Sequence, residues 1–128
     1  MKRKELQSFY YIQREIEMWE AELETVGYMT STRINGAPAG NSMPGNPTAR
    51  EAAKYEKIKE KIEVLRDDAV EVRVKIYKHI AEIDDSLMRQ IVMHRCISLE
   101  RWEDVARAVG GGNTADSVRK RFERAYPE

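Results

Sequence analysis

The stretch "VARAVGGGNTADSVRKRF", Val105 to Phe122, decides the fold. An apolar helical pattern ends just before its three glycines, and a basic amphipathic pattern begins just after them. Consecutive glycines weaken any helix that contains them, because glycine loses the most backbone freedom on ordering. What they permit is a sharp change of direction through positive φ. Upstream, Trp102, Val105, Ala106 and Val109 fall at i, i+3, i+4 and i+7, a single buried stripe. Downstream, Ala115, Val118, Phe122 and Ala125 follow steps of 3, 4 and 3. Two short helices with one stripe each must cross steeply to share a small core, and the small side chain of Ala106 suits the crossing. This is the plan of a helix-turn-helix.

Polar residues mark the helix starts. Ser98 is expected to cap a helix over 98–109. Asn113 is expected to cap the last one, with Asp116 at its third position, where a carboxylate favours the positive end of the helix dipole. Asp84, Asp85 and Ser86 punctuate the chain and cap a preceding helix, whose apolar side is Leu87, Met88, Ile91, Val92 and Cys96. Residues 84–128 therefore read as a three-helix domain.

Further out, Phe9, Ile12, Ile16, Trp19, Leu23 and Val26 recur at steps of 3, 4, 3, 4 and 3, the seam of a heptad helix. This helix is expected over 3–26, with Gly27 as its terminator. Residues 27–47 hold four glycines, three prolines and three asparagines without periodicity, and read as a flexible connection. Thr48 offers a helix cap, with Glu51 placed to complete a capping box. Behind it Tyr55, Ile58, Ile62, Leu65, Ala69, Val72 and Ile76 carry a second heptad seam, drifting through Ile80 and Ile83, so a helix is expected over 48–83. The expected architecture is all-α. A long antiparallel, coiled-coil-like hairpin spans 1–83, and the helix-turn-helix domain spans 84–128. Part of the second seam outruns the first, and heptad seams pair readily, so a homodimer through the long helices is expected.

The chain has 128 residues, of which 34% are charged and 8% aromatic, and its net charge is zero. Overall charge therefore names no partner. The one strong local excess is Arg119, Lys120, Arg121 and Arg124 against the single Glu123. Cys96 is the only cysteine, which excludes an internal disulfide and fits a reducing compartment. It reads as a small core residue. The run after "MKRKEL" is broken by Gln13, Arg14, Glu15 and Glu17, which is not a secretory signal, and no stretch approaches the ~20 apolar residues of a membrane span. A soluble, cytoplasmic protein with no membrane partner is expected. His79 and His94 stand apart from any cluster of ligands, so no metal is expected. No paired carboxylates, no Cys/His couple and no glycine loop after a strand are present. The expectation is a protein without cofactor and without enzymatic activity.

On the last helix, Asn113, Asp116, Ser117, Lys120 and Arg124 lie opposite the apolar stripe, flanked by Arg119 and Arg121. The DNA major groove admits one α-helix, whose first residues reach base edges while its cations hold phosphates. Asn113, Thr114, Asp116, Ser117 and Lys120 are the candidate base contacts. Arg119, Arg121 and Arg124 are the candidate phosphate contacts. Asp116 repels phosphate, so it caps the helix or accepts from a cytosine amine.

These residues also carry a resemblance. "DDSLMRQIVMHRCISLERWEDVARAVGGGNTADSVRKRFERAY", residues 84–126, resembles region 4 of RNA polymerase sigma factors, with its Arg-Gln-Ile helix, the "HRCISLERW" stretch, "EDVA" and a basic last helix. Its glycine turn is longer than the sigma-like one. The whole chain, with paired long helices and a Gly/Pro loop ending in "NPTAREA", resembles the phage and prophage ArpU and RinA late transcriptional activators. The resemblance implies a sequence-specific regulator acting on double-stranded DNA in a bacterial host, with a supporting helix over 98–109 and a recognition helix over 114–126. It also implies RNA polymerase as a further partner. Two alternatives stay open on the residues alone: a small-terminase-like DNA-packaging adaptor, and a protein-only adaptor docking on RNA polymerase.

Overall fold

The computed structural model describes residues 1–36 and 49–128, and among these every regular element is helical. In chain order they are α1 (Arg3–Gly36), α2 (Ala49–Glu82), α3 (Ser86–Val92) continued by a π-helical turn (Met93–Ile97), α4 (Trp102–Val109) and α5 (Ala115–Ala125). The expected all-α class is therefore correct. The expected Thr48 cap and most of the 27–47 connection lie outside the described residues.

Each heptad seam buries part of the set that the periodicity selects, while Ile12, Trp19, Leu23, Tyr55, Leu65, Val72 and Ile83 are half-buried. Phe9, Ile16 and Val26 are buried on α1, and Ile58, Ile62, Ala69, Ile76 and Ile80 on α2. Gly27 does not end α1, which runs on to Gly36. A single glycine inside a helix costs only about 1 kcal/mol, and the eight residues that follow it contain neither proline nor glycine. A Cβ at Gly27 would meet the Tyr55 ring at 3.9 Å, so the backbone there passes close to an aromatic edge.

The contacts divide the chain into two compact units, residues 14–67 and residues 1–13 with 68–128. In the first unit Ile16, Val26, Ile58 and Ile62 are buried. Trp19 bridges its rim, lying under the Lys61 ammonium at 4.7 Å and donating its indole N–H to Glu15 at 3.1 Å. Ion pairs Lys54–Glu22 (3.5 Å) and Arg66–Glu20 (3.6 Å) link α2 to α1. Such exposed pairs each contribute little.

The second unit gathers α3, the π-turn, α4 and α5 with the first residues of α1 and residues 68–82 of α2. Its core is Leu6, Ile76, Ile91, Val92, Val105, Val118 and Phe122, all less than 3% exposed. Cys96 is buried with them, and desolvation pushes its thiol up to about 12, so it is an inert core residue. Asp85 caps α3, accepting from the Met88 N–H at 3.1 Å.

Ser98 does not cap the following helix. The π-turn ends there, with the Ser98 N–H donating to the Met93 carbonyl five residues back. Leu99 then takes a φ of 56°, and α4 starts only at Trp102, after Arg101 in extended conformation. The wider turn uses up residues that a regular helix would have left for the cap.

Candidate nucleic-acid interface

The glycine turn sets the direction of α5. Val109 ends α4, and the Gly110 N–H closes its last turn on the Ala106 carbonyl at 3.0 Å. Gly110, Gly111 and Gly112 have φ of 65°, 66° and 77°, so all three occupy the region that side chains disfavour. The positive φ expected at this turn is thus realised at every glycine of the run.

Asn113 closes the turn rather than capping α5. Its backbone N–H and its side-chain amide both donate to the Gly110 carbonyl, at 3.2 and 2.8 Å. The cap falls one residue later. Thr114 Oγ1 accepts from the Ser117 N–H at 3.1 Å, and the Ser117 hydroxyl accepts from the Thr114 N–H at 2.9 Å, a reciprocal capping box. Asp116 consequently stands at the second helical position, not the third. The sequence could not separate these registers, because Asn113 and Thr114 are both good caps and only the turn geometry chooses.

The inner face of α5 is Val118, Phe122 and Tyr126. The Phe122 ring lies 5.5 Å from that of Trp102 and 5.2 Å from that of Tyr126. Ala125, expected on this face, is exposed, and Tyr126 takes the inward position instead. Beyond α5 the chain is held by Arg3 and His79, neither of which the sequence placed there. Arg3 donates to the Tyr126 carbonyl at 2.6 Å and to the Glu123 carbonyl at 3.2 Å, capping the helix C-terminus with a cation. The His79 ring nitrogen Nε2 meets the Tyr126 hydroxyl at 2.7 Å. No local pattern betrays partners 47 residues apart, as for His79, or more than a hundred apart, as for Arg3.

The outer face carries the candidate contacts. Thr114, Asp116, Ser117, Lys120, Arg121 and Arg124 line one shallow groove along α5. Asp116, Lys120, Arg121 and Arg124 are exposed, as is Arg119 beside them. The charges are not independent. Asp116 sits 2.6 Å from the Arg119 guanidinium and 2.9 Å from the Lys120 ammonium, using one carboxylate oxygen for each. The hydrogen bond from Arg119, and after it that from Lys120, holds the Asp116 carboxyl below the usual range, and Asp116 in turn raises Arg119. Glu123 stands 3.8 Å from Arg119 on its other side. Among the described residues, Arg121 and Arg124 make no ion pair.

Arg101, just before α4, and Arg107 on it both reach Asp104, at 3.4 and 3.3 Å. His94 pairs with Glu100 at 2.6 Å, and the Arg95 guanidinium lies 4.4 Å from the centre of the Trp102 ring. No group of three His, Cys, Asp or Glu among the described residues could hold a metal. No described helix is long and apolar enough to cross a membrane. No family model, curated protein or solved structure matches the chain.

Proposed function

We propose that the chain is a sequence-specific DNA-binding transcription regulator of phage or prophage type, acting by binding rather than catalysis. In this reading α4 and α5 form a helix-turn-helix of the sigma region 4 kind, and α5 enters the major groove. The observation that carries it is the two-sided character of α5. Val118 and Phe122 are fully buried, while Lys120, Arg121 and Arg124 project on the exposed side, the arrangement that a groove-binding helix requires. The reading places α1 and α2 in an antiparallel hairpin that brings two copies together. The exposed Val70, Val74 and Tyr77, at heptad steps along α2, support self-association. Two recognition helices in such a dimer address half-sites ~34 Å apart or a multiple of that.

Selection of bound duplexes from a random pool tests the reading, with the solution mass measured alongside. Enrichment of one sequence with paired half-sites by a dimer supports it. A chain that retains no duplex refutes it, and a large ring that holds DNA without sequence preference points to packaging instead.

A further inference from the structure

We infer that Asp116 is a specificity-determining residue, which holds Arg119 and Lys120 away from phosphates on DNA of arbitrary sequence. The inference rests on the reading of α5 as the DNA-contacting helix and concerns how that helix avoids wrong sites.

Four cations lie on or beside the exposed side of α5, but two share a single carboxylate. Both oxygens of Asp116 are engaged, one by Arg119 at 2.6 Å and one by Lys120 at 2.9 Å. Residues three and four positions apart on a helix are neighbours, so this arrangement needs no distortion. A phosphate that approaches Lys120 or Arg119 meets a cation already neutralised, and it also meets the Asp116 charge. Arg121 and Arg124 line the same groove but make no ion pair among the described residues, so a phosphate that reaches them displaces no carboxylate. Non-specific binding through α5 is therefore the work of two cations rather than four. Sequence-independent affinity comes almost entirely from phosphate neutralisation, so this difference falls mainly on wrong sites. A sequence that offers a base amino group to the Asp116 carboxylate compensates for its lost partners and releases both cations. An arbitrary sequence does not.

The test uses the full chain and two probes, a mixed-sequence duplex and the duplex enriched by selection, each titrated over a range of salt. Each phosphate contact contributes about 0.9 to the slope of log K against log salt. For the mixed duplex, Asp116→Asn is expected to steepen the slope by up to about 1.8 per chain and to tighten binding roughly tenfold at ~0.1 M salt. Binding to the selected duplex is expected to tighten less, so the discrimination ratio falls. Glu123→Gln, which frees Arg119 from a more distant carboxylate, is expected to act in the same direction and more weakly. Helicity measured by circular dichroism shows that each variant is folded. If the wild type binds DNA and Asp116→Asn changes neither slope nor discrimination, the inference is wrong while the DNA reading stands. If neither protein binds any duplex at low salt, the DNA reading fails and takes the inference with it.

Discussion

The His79 imidazole and the Tyr126 hydroxyl meet at 2.7 Å, and this contact ties the last turn of the chain to α2. Burial, followed by the positive N-terminus, lowers the His79 pKa, against the opposing charges of Glu82 and Glu5. The folded state thus favours the neutral ring, which accepts from the Tyr126 O–H. Above the ordinary imidazole value near ~6.5 the ring is neutral in both folded and unfolded chains and stability is unaffected. As pH falls below that value the unfolded chain takes up the proton first. Stability is expected to decline until pH passes the lowered folded value. Denaturation at a series of pH values should show this loss in the wild type, and His79→Gln should remove that part of it.

Arg3 and His79 hold Tyr126 from two sides, one through its carbonyl and one through its hydroxyl. Tyr126→Phe is expected to cost about 1 kcal/mol, the net worth of one hydrogen bond. Arg3→Met is expected to cost a similar amount, through the helix C-terminus it caps. The changes act on different atoms of one residue, so a double-mutant cycle by urea denaturation should show coupling between them.

Alanine substitutions in the glycine run are expected to differ in cost. Gly110 combines a φ of 65° with a ψ of −149°, near a region that only glycine adopts easily. A Cβ there, or at Gly112, would touch nothing within 4 Å, so the penalty is backbone strain and not collision. Gly110→Ala is expected to destabilise by about 1–3 kcal/mol. Gly112→Asn is expected to cost less than Gly112→Ala, because asparagine tolerates positive φ better. Thermal melting of the three variants checks the order.

Leu99 is the one described residue other than glycine with positive φ, at 56°. It is half-buried beside Leu6, Cys96 and Phe122 at a shared cleft. Leu99→Ala loses packing and keeps the strained backbone. Leu99→Gly loses the same packing but relieves about 1 kcal/mol of strain. The usual ranking of alanine over glycine is expected to reverse here, and equilibrium unfolding of the pair checks it.

The Thr114–Ser117 box predicts a loss of about 1 kcal/mol for Thr114→Ala. Ser117→Ala, once Thr114 is already alanine, should add little, since the two hydroxyls work as one reciprocal cap. Unfolding of the single and double variants shows whether the losses are shared.

The parts of this fold that could be read in the sequence are those written in short periods. Ile16, Ile62, Ile76, Val105 and Val118 announce their burial through spacing alone, and three glycines between two apolar stripes announce a turn at positive φ. Helix ends were harder. Gly27 carried a stop signal that a long favourable helix overrode, and Ser98 carried a start signal that the π-turn absorbed. At the candidate site, periodicity picked out the exposed face of α5 but not the state of its charges. That Asn113 closes the turn, that Thr114 and Ser117 cap each other, and that Asp116 holds two cations all depend on local geometry. Arg3 and His79 were invisible for another reason, because their partners lie far along the chain.

If the exposed face of α5 grips duplex DNA, binding must depend steeply on salt. Fluorescence anisotropy of a labelled selected duplex should be followed for the wild type and for the double variant Arg121→Ala/Arg124→Ala. Log K is expected to fall linearly with log salt, and the double variant to lower the slope by about 1.8 per chain as two phosphate contacts are lost. A wild-type affinity indifferent to salt, or a double variant that binds as the wild type does, contradicts a grip through α5.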